Sequence, residues 1–505
     1  MTKAYLAKQI KEFEKSLCKS PSDNLEWLME KAAEESAKWL YEKYPNSFFI
    51  ILCGPGNNGG DGYCIANELV SIAKVNAPKN PISIKIMDVM PSKQKSVLCK
   101  SKSENHTSQR VDHKFLKKCL KDVDDEDNLK IVIVDAIFGI GGRVDLPARV
   151  EKIIKTANLF YDKIAIDIST GLNSNTGEIS KVCFNATSTV TFLGLKLGQL
   201  INQGKIYSGD IVLKDLGFSM NKIVKPAVHE FSYKDIKSKL PVRKKDAHKR
   251  NHGKLLIVAG DEGYGGAGIL TSETALKTGT GLVKLLTRKS HVSPSLAKNP
   301  EVMVCGADNA QDLEQNFLWS DVFVCGPGMF ENYWSEQLLY KLITYAEKNR
   351  IPTLLDAGAL RLLTKEPFTK MALPKDIILT PHPGEASSLL GITTEKIQKN
   401  RLKAAKDLHV KFGGIIVLKG HGTVIHDGEE SYLSSSGGPE LAVAGSGDIL
   451  SGVIGSLMAQ GLQPLDAAVA GVALHSNAGD SFAKEIGNIG LAASELIPHI
   501  RNALN

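Results

Sequence analysis

The 505-residue chain lacks most of the signals that would assign it quickly. Its eight cysteines contain no Cys-x-x-Cys pair, which excludes a zinc ribbon or a dithiol redox site read from spacing, and they are too sparse for a secreted disulfide scaffold. They read as reduced thiols of a cytoplasmic protein, mostly buried as small apolar groups. No apolar run is long enough to span a bilayer, so no membrane is expected. The first residues, MTKAYLAKQIKEFEKSL, have no apolar signal core, and no arginine precedes Arg110, so a secretory or organellar leader is not expected. None of the glycine-rich loops runs into Gly-Lys-Ser or Gly-Lys-Thr, which excludes a Walker-type phosphate loop. Strong charge is missing too: a formal +7 over this length does not argue for nucleic acid, though it leaves small anions open. There is no close internal repeat.

What is present is a composition of 43% hydrophobic and 23% charged residues, that of a globular protein too long for one core. Residues 4 to 44 read as helices, with Leu6, Ile10, Phe13 and Leu17 at helical spacing and LEWLMEKAAEESAKWL following an SPSD cap cluster. Short β-branched runs follow at 48–53, 82–87, 131–136, 164–168, 189–193 and 211–213, most of them separated by helix-length stretches. Such alternation implies a parallel sheet covered on both faces. Residues 91 to 128, with KQKSVLCKSKSENHTSQR and DVDDED, read as an exposed, mobile insertion. The polar, basic stretch 219–245 reads as a linker, after which KLLIVAG starts a second alternation that runs to residue 505. Two α/β domains in series are expected, 1–218 and 246–505.

The first strand ends in CGPGNNGGDG. Gly54, Gly56 and Gly59 satisfy Gly-x-Gly-x-x-Gly between a strand and a helix, yet the acid that should close the next strand is misplaced, since Asp88 comes too late. A tight turn accounts for one or two glycines but not for GPGNNGGD. Asn57, Asn58 and Asp61 lie where glycines let backbone amides approach a ligand at the positive end of a helix, a setting that serves an anion or a hard cation. Asp135 and Asp167 each sit at the end of a later strand, followed by FGIGGRVD and by Ser169, Thr170 and Gly171. Ligands of open α/β sheets bind at the carboxyl ends of strands, so the three loops are expected to converge.

These loops, with the upstream LMEKAA, closely resemble the NAD(P)H-hydrate epimerase family, the YjeF N-terminal domain. The resemblance covers residues 1–218 and implies a Rossmann-like αβα fold that binds hydrated NADH or NADPH together with a potassium ion. It puts potassium at Asn58, Asp135 and Thr170. It puts substrate at Asn57, Asn58, Gly59, Gly60 and Asp61, at Gly139, Ile140, Gly141, Gly142, Arg143, Val144 and Asp145, and at Asp167, with Asp135 as a catalytic residue. Where the family usually has Pro-Ser-Gly, this chain has Ser169-Thr170-Gly171.

In the second half, AVAGSGDILSGVIG places Gly445, Gly447 and Asp448 just before an apolar helix. Amides there can stabilise a phosphoryl group in flight while a carboxylate beside them takes a proton from an attacking hydroxyl. KGHGT, residues 419–423, can cradle nucleotide phosphates; TPHPGE offers His382 and Glu385, and CGPGM and GYGGAG supply accessible turns. This half resembles the ADP- or ATP-dependent NAD(P)H-hydrate dehydratases, whose fold is ribokinase-like, on HKRNHGKLLIVAG, KTGTGLVKLL, HPGE and GSGD. The fused order is that of the bifunctional prokaryotic nicotinamide-nucleotide repair enzymes, which use ADP. The resemblance implies hydrate binding at Ala267, Gly328, His382 and Asp448, ADP binding at Lys419, Gly420, His421, Gly422, Thr423 and Gly447, Asp448 as catalytic base, magnesium on the nucleotide, and a homo-oligomer of four or more copies. DAGAL at 356–360 replaces a usual Asp-Ala-Asp-Ala-Leu, and GPGMF replaces a usual Gly-Pro-Gly-Leu-Gly.

Two other readings stay open on the residues alone. The second half could be a ribokinase-like small-molecule kinase fused to a non-catalytic nucleotide-binding domain. A nicotinamide dehydrogenase is disfavoured by the misplaced acid.

Overall fold

The structure, a computed structural model, describes residues 1–18, 20, 24–76, 82–91, 93–121, 130–141, 145–307 and 310–505. Two compact units divide it, Lys3–Val228 and His229–Asn505 with Met1–Thr2.

The first unit is built on seven strands: β1 (Ser47–Cys53), β2 (Ser83–Asp88), β3 (Gln109–Arg110), β4 (Lys130–Ala136), β5 (Asp162–Ile166), β6 (Ser188–Phe192) and β7 (Asp210–Lys214). Their order is β3-β2-β1-β4-β5-β6-β7, with every pair parallel. Alternate residues feed two cores. Phe49, Ile51 and Cys53 pack with Val132, Val134 and Ala136 on one face, whereas Ile50, Leu52 and Ile133 pack on the other, as a period of two requires. Helices α1 (Ala7–Ser16), α2 (Glu26–Lys43), α3 (Asn57–Asn76) and α4 (Val97–Glu104) contribute to the first core, α5 (His113–Lys121) and α6 (Ala148–Ala157) to the second. Cys53 of β1 is in register with Ala136 of β4, so the loops that follow leave the sheet side by side.

The expectation of an exposed insertion at 91–128 needs correction. That stretch carries α4, β3 and α5, and Leu98, Cys99, Leu116 and Cys119 are buried. Its lysines mask two short amphipathic helices whose apolar residues recur only two or three times each. The acidic run from Asp122 to Asp127 lies outside the described residues, as do Gly142, Arg143 and Val144 and most of the SPSD cluster.

The second unit holds β8 (Val228–Phe231), β9 (Lys254–Val258), β10 (Leu282–Thr287), β11 (Met303–Gly306), β12 (Val322–Cys325), β13 (Thr353–Leu355), β14 (Ile377–Leu379), β15 (Ile415–Leu418), β16 (Thr423–His426) and β17 (Ser431–Ser434). They run in the order β11-β10-β9-β12-β13-β14-β15-β16-β17-β8. All neighbours are parallel except β15–β16 and β16–β17, a meander that places the KGHGT turn between two antiparallel strands. Residues 219–245, expected as a linker, contain β8 and the helical turn Tyr233–Ile236, and Phe231 and Ile236 join the core. Helices α7 (Gly265–Thr278), α8 (Pro383–Leu390), α9 (Arg401–Phe412), α10 (Ser446–Ala459) and α11 (Pro464–Glu485) cover the sheet. Helix α10 is buried along almost its whole length. It crosses α7 closely because Gly452 has no side chain; a Cβ there would come 2.5 Å from the Thr271 carbonyl oxygen.

No described helix is long and apolar enough to cross a membrane. All eight cysteines are free of disulfides.

Candidate functional site

The GPGNNGGD loop divides into glycines that hold the fold and residues that face a cavity. Cβ atoms on Gly54 and Gly59 would each fall 1.9 Å from a backbone carbonyl oxygen, of Ile137 and Gly54 respectively, so both are required for α3 to sit against the sheet. Gly56 has nothing within 4 Å of the corresponding position. It lines, with Asn57, Asn58 and Asp61, a cavity of about 390 Å³. Phe138, Gly139, Ile140, Gly141 and Asp167 line it from the strand ends, as expected for convergent loops. Gly59 and Gly60 do not line it, and neither do Asp145 and Asp135.

Asp135 works from beneath. It is fully buried, with Oδ2 accepting from the Thr170 amide at 2.7 Å and Oδ1 accepting from the Thr170 hydroxyl at 2.8 Å and the Ile137 amide at 3.1 Å. Burial raises its pKa to about 6 although those three hydrogen bonds oppose the shift. The Thr170 hydroxyl in turn accepts from the Phe138 amide at 3.1 Å, so the Ser-Thr-Gly departure ties the Asp135 carboxylate to the start of the 139–145 turn. Asn58 is buried, and neither its Oδ1 nor its Nδ2 has a partner among the described residues. It packs against Gly139, where a Cβ would lie 3.4 Å from the Asn58 Cβ and 3.2 Å from Asp167 Oδ2.

Two charged residues that line this cavity, and a third buried behind Asp167, carry no motif in the sequence. Lys11 and Glu14 come from α1, and Lys196, 1% exposed, pairs with Asp167 Oδ1 while donating to the Thr191 hydroxyl at 2.7 Å. Asp167 itself has φ +67, a left-handed conformation that turns its carboxylate toward the Ile140 amide. Burial, then Asp167, push Glu14 up to about 7 against the pull of Lys196 and Lys11. Burial, then Asp167 and Glu14, hold Asp61 well above the ordinary carboxylate range. A cavity with protonatable carboxyls on two elements is equipped for proton transfer near neutral pH. Only the helical register of Glu14 and Lys11 hints at their place; nothing in α1 alone says which sheet edge it covers. Asp88, the misplaced acid of the dinucleotide motif, is engaged by Lys95 at 2.7 Å and the Tyr63 hydroxyl at 3.2 Å.

In the second unit the carboxyl ends of β9, β12, β14 and β15 carry four of the predicted loops, GYGGAG, CGPGM, TPHPGE and KGHGT, and that of β13 carries DAGAL. The residues leading into GYGGAG are joined to CGPGM by the Gly260 amide to the Pro327 carbonyl and the Asp261 amide to the Gly328 carbonyl, each 2.9 Å. A Cβ on Gly328 would meet the Ala267 Cβ at 2.8 Å, so Ala267 and Gly328 are neighbours. Asp356, at the end of β13, stands out in the sequence only as part of a family departure, yet it organises this site. Its Oδ1 accepts from Lys419 Nζ at 2.8 Å and its Oδ2 from the Ser451 hydroxyl at 2.9 Å. Lys419 Nζ also stands 4.0 Å from Glu385 Oε2, and a Cβ on Gly447 would be 3.3 Å from that ammonium. The two departures meet as well: a Cβ on Gly358 of DAGAL would fall 2.1 Å from the Met329 carbonyl of GPGMF.

Asp448 sits in the first turn of α10, after Gly445 at φ +88. Burial and then Asp356 raise it to about 7, with Lys419 opposing. Lys419 stays charged, because Asp356, Glu385 and Asp448 outweigh the cost of its burial. His382 is half exposed and caps α8, its Nδ1 accepting from the Gly384 amide at 3.0 Å and the Glu385 amide at 3.3 Å. The sequence-expected ADP residues Lys419 to Thr423 form the β15–β16 turn, with Gly420 and Gly422 at positive φ.

Fold and sites together define a two-unit α/β enzyme, Rossmann-like in its N-terminal half and ribokinase-like in its C-terminal half. The family described as "YjeF-related protein N-terminus" matches residues 25–198, and that described as "NAD(P)H-hydrate dehydratase" matches residues 255–502. The bifunctional NAD(P)H-hydrate repair enzyme Nnr of Coxiella burnetii is 35% identical over 511 residues, covering 100% of both chains. Its namesake in Escherichia coli is 34% identical over 482 residues, covering 95% of this chain and 89% of its own. A solved ribokinase-like superfamily protein of Enterococcus faecalis, 27% identical, covers 56% of this chain and 97% of its own with a TM-score of 0.52. The chain belongs to the bifunctional NAD(P)H-hydrate repair enzymes, an isomerase and a lyase in one polypeptide.

Proposed function

We propose that the N-terminal cavity interconverts the R and S forms of NADH or NADPH hydrated at C6 of the nicotinamide, and that the Asp448 site dehydrates the S form at the expense of ADP. The observation that carries the second half is the convergence of Asp448, Lys419 and Asp356 at the strand ends. A carboxyl poised near 7 stands there beside a fixed ammonium.

In the first reaction the C6 hydroxyl is attached to a carbon next to the ring nitrogen. Its C–O bond breaks as the nitrogen lone pair forms a C=N⁺ bond, and the hydroxyl leaves as water after taking a proton. Water returning to the other face and losing a proton gives the other epimer. Glu14, protonated in part at neutral pH, is suited to give and retake that proton. Asp167, ion-paired with Lys196 and lining the cavity, is placed to steady the cationic ring. Asp135 acts as a positioning residue rather than at the reacting atoms, because it is buried beneath the cavity.

Potassium fits the same loops. The unpartnered Asn58 Oδ1, the Asp135 carboxylate and Thr170 are hard oxygen donors gathered around Phe138 and Gly139, and would hold the ion; it would supply positive charge for the substrate's phosphates.

In the second reaction Asp448 takes the proton of the C6 hydroxyl, whose oxygen attacks the β-phosphorus of ADP with AMP leaving. The phosphorylated C6 oxygen then departs as inorganic phosphate while C5 loses a proton, which restores the ring double bond. Loop 419–423 and the α10 amides hold the phosphates. Among the described residues no cluster of three His, Cys, Asp or Glu is arranged to hold a metal, and magnesium would ride on the nucleotide phosphates.

The deciding experiment supplies purified protein with mixed-epimer NADH hydrate, K⁺, Mg²⁺ and ADP and follows dihydronicotinamide absorbance at about 340 nm. Full recovery of reduced cofactor, with AMP and phosphate, establishes both activities. Recovery of the S fraction alone removes the epimerase; a stable phosphorylated product without absorbance points to the kinase alternative. Omitting K⁺ tests the ion, with epimer exchange slowed and S-form dehydration unchanged.

A further inference from the structure

Arg401, the first residue of α9, is a buried cation with no carboxylate partner among the described residues. It is 1% exposed. Its Nη1 donates to the His421 carbonyl at 2.5 Å and its Nη2 to the Leu418 carbonyl at 3.1 Å, while Nε is buried and has no partner among the described residues. Burial, with no neighbouring acid contributing, lowers its pKa to about 10, so it remains charged at neutral pH. A charge held only by neutral carbonyls is costly, and proteins retain such an arrangement poorly unless something else offsets it.

The position explains what that is. Both carbonyls belong to the chain entering and forming the turn Lys419–Thr423, and Gly420, at φ +141, lies flat on the guanidinium: a Cβ there would come 2.8 Å from Nη2. In a trans peptide the carbonyl and the following amide point in opposite directions. Drawing the His421 carbonyl inward to Arg401 therefore turns the Gly422 N–H outward, away from the guanidinium.

We propose that Arg401 is a positioning residue for the nucleotide phosphates. Its fork fixes the turn with an amide facing the ligand, and its unneutralised charge lies behind that turn, where an anion above recovers the cost of burying it. This rests on the reading of residues 419–423 as the ADP loop.

The test uses the full chain, ADP·Mg²⁺ and the S hydrate, with Arg401→Met and Arg401→Lys. Arg401→Met removes an unpaired charge at similar volume, so without nucleotide its Tm is expected within about 3 °C of wild type. Its KM for ADP rises about tenfold or more. Its kcat at saturating ADP and its KM for the hydrate stay within about threefold of wild type, a split that a general loss of structure would not give. Arg401→Lys, which keeps the charge without the fork, falls between. Hydrogen exchange then separates the arginine's role from that of the loop. ADP·Mg²⁺ protecting the 419–423 amides of wild type but not of Arg401→Met supports the role. Protection and KM for ADP unchanged in the variant overturn it, as does a parallel loss of Tm, kcat and both KM values. No protection of these amides even in wild type overturns the reading of the loop itself. Should Arg401→Met fail to fold, Arg401→Lys decides, an unchanged KM for ADP again overturning the proposal.

Discussion

Lys419 Nζ lies 2.8 Å from Asp356 Oδ1, and Asp356 is 1% exposed, so the strand ends of the C-terminal unit carry a fixed ion pair beside the carboxylate proposed as base. Burial raises the pKa of Asp448 most, and the pair tunes it from both sides: Asp356 raises it further and Lys419 lowers it. A base with a pKa of about 7 is deprotonated as pH rises through 7, so dehydration should gain rate over that range. Asp356→Asn removes the repulsion and is expected to move the acidic limb of the kcat/KM profile down; Lys419→Met should move it up and raise the KM for ADP. A pH series on the S hydrate reads both directions, and identical profiles in all three proteins would refute the coupling.

Asp448→Asn tests the base itself. Dehydration should fall by about 10²–10⁴-fold, the usual worth of a positioned proton acceptor. Because the folded pKa is raised above that of the unfolded chain, the carboxylate is destabilising at pH values above about 7. The variant should therefore melt no lower than wild type at pH 8, and near-full activity in a folded variant would remove Asp448 from the mechanism.

For the N-terminal cavity, Glu14→Gln keeps shape and hydrogen bonding but cannot shuttle a proton. Epimer exchange is expected to drop by about 10²-fold or more, with S-form dehydration untouched. In the mixed-epimer assay the fast phase should persist and the R fraction should recover only at the spontaneous rate. Exchange at the wild-type rate would leave the proton transfer to Asp61 or Asp167.

The glycines of the first loop should separate by thermal melting. Gly59→Ala drives a Cβ into the Gly54 carbonyl and should cost about 3 kcal/mol or more. Gly56→Ala meets open space and should change Tm by less than about 2 °C while weakening hydrate binding at the cavity wall. Equal effects would mean that the α3–sheet contact is not set by Gly59.

His475 offers a stability test against pH. Burial lowers its pKa to about 4, with its Nε2 3.1 Å from both the Ser446 hydroxyl and the Ser446 carbonyl oxygen at the start of α10. Between about pH 6.5 and 4 the unfolded chain binds a proton that the folded one refuses, so stability is present above pH 6.5 and is lost as pH falls toward 4. His475→Gln should flatten the Tm against pH curve of the C-terminal unit over that interval.

The amino-acid order by itself determined most of the strands and the glycine-rich loops at their ends, though not β3 or β8, which lie in stretches that read as an insertion and a linker. β-branched runs bounded by glycine clusters mark strands and turns whatever surrounds them, so the places of GPGNNGGD, Asp135, Asp167, KGHGT and GSGD follow from residue order alone. Close glycines such as Gly59 are legible for the same reason, although their sequence does not say which ones clear a backbone and which ones face a ligand. Residues 91–128 read as an insertion because their two helices bury so few residues that lysine dominates the pattern. Tertiary structure alone decided the rest. Glu14 and Lys11 reach the cavity because α1 docks over the carboxyl edge of a sheet whose first strand begins only at Ser47. Nothing in the sequence singles out Arg401; its burial beneath Gly420 does. A charge acquires its pKa and its task from the groups packed around it, and those are set by long-range packing rather than by its neighbours in the chain.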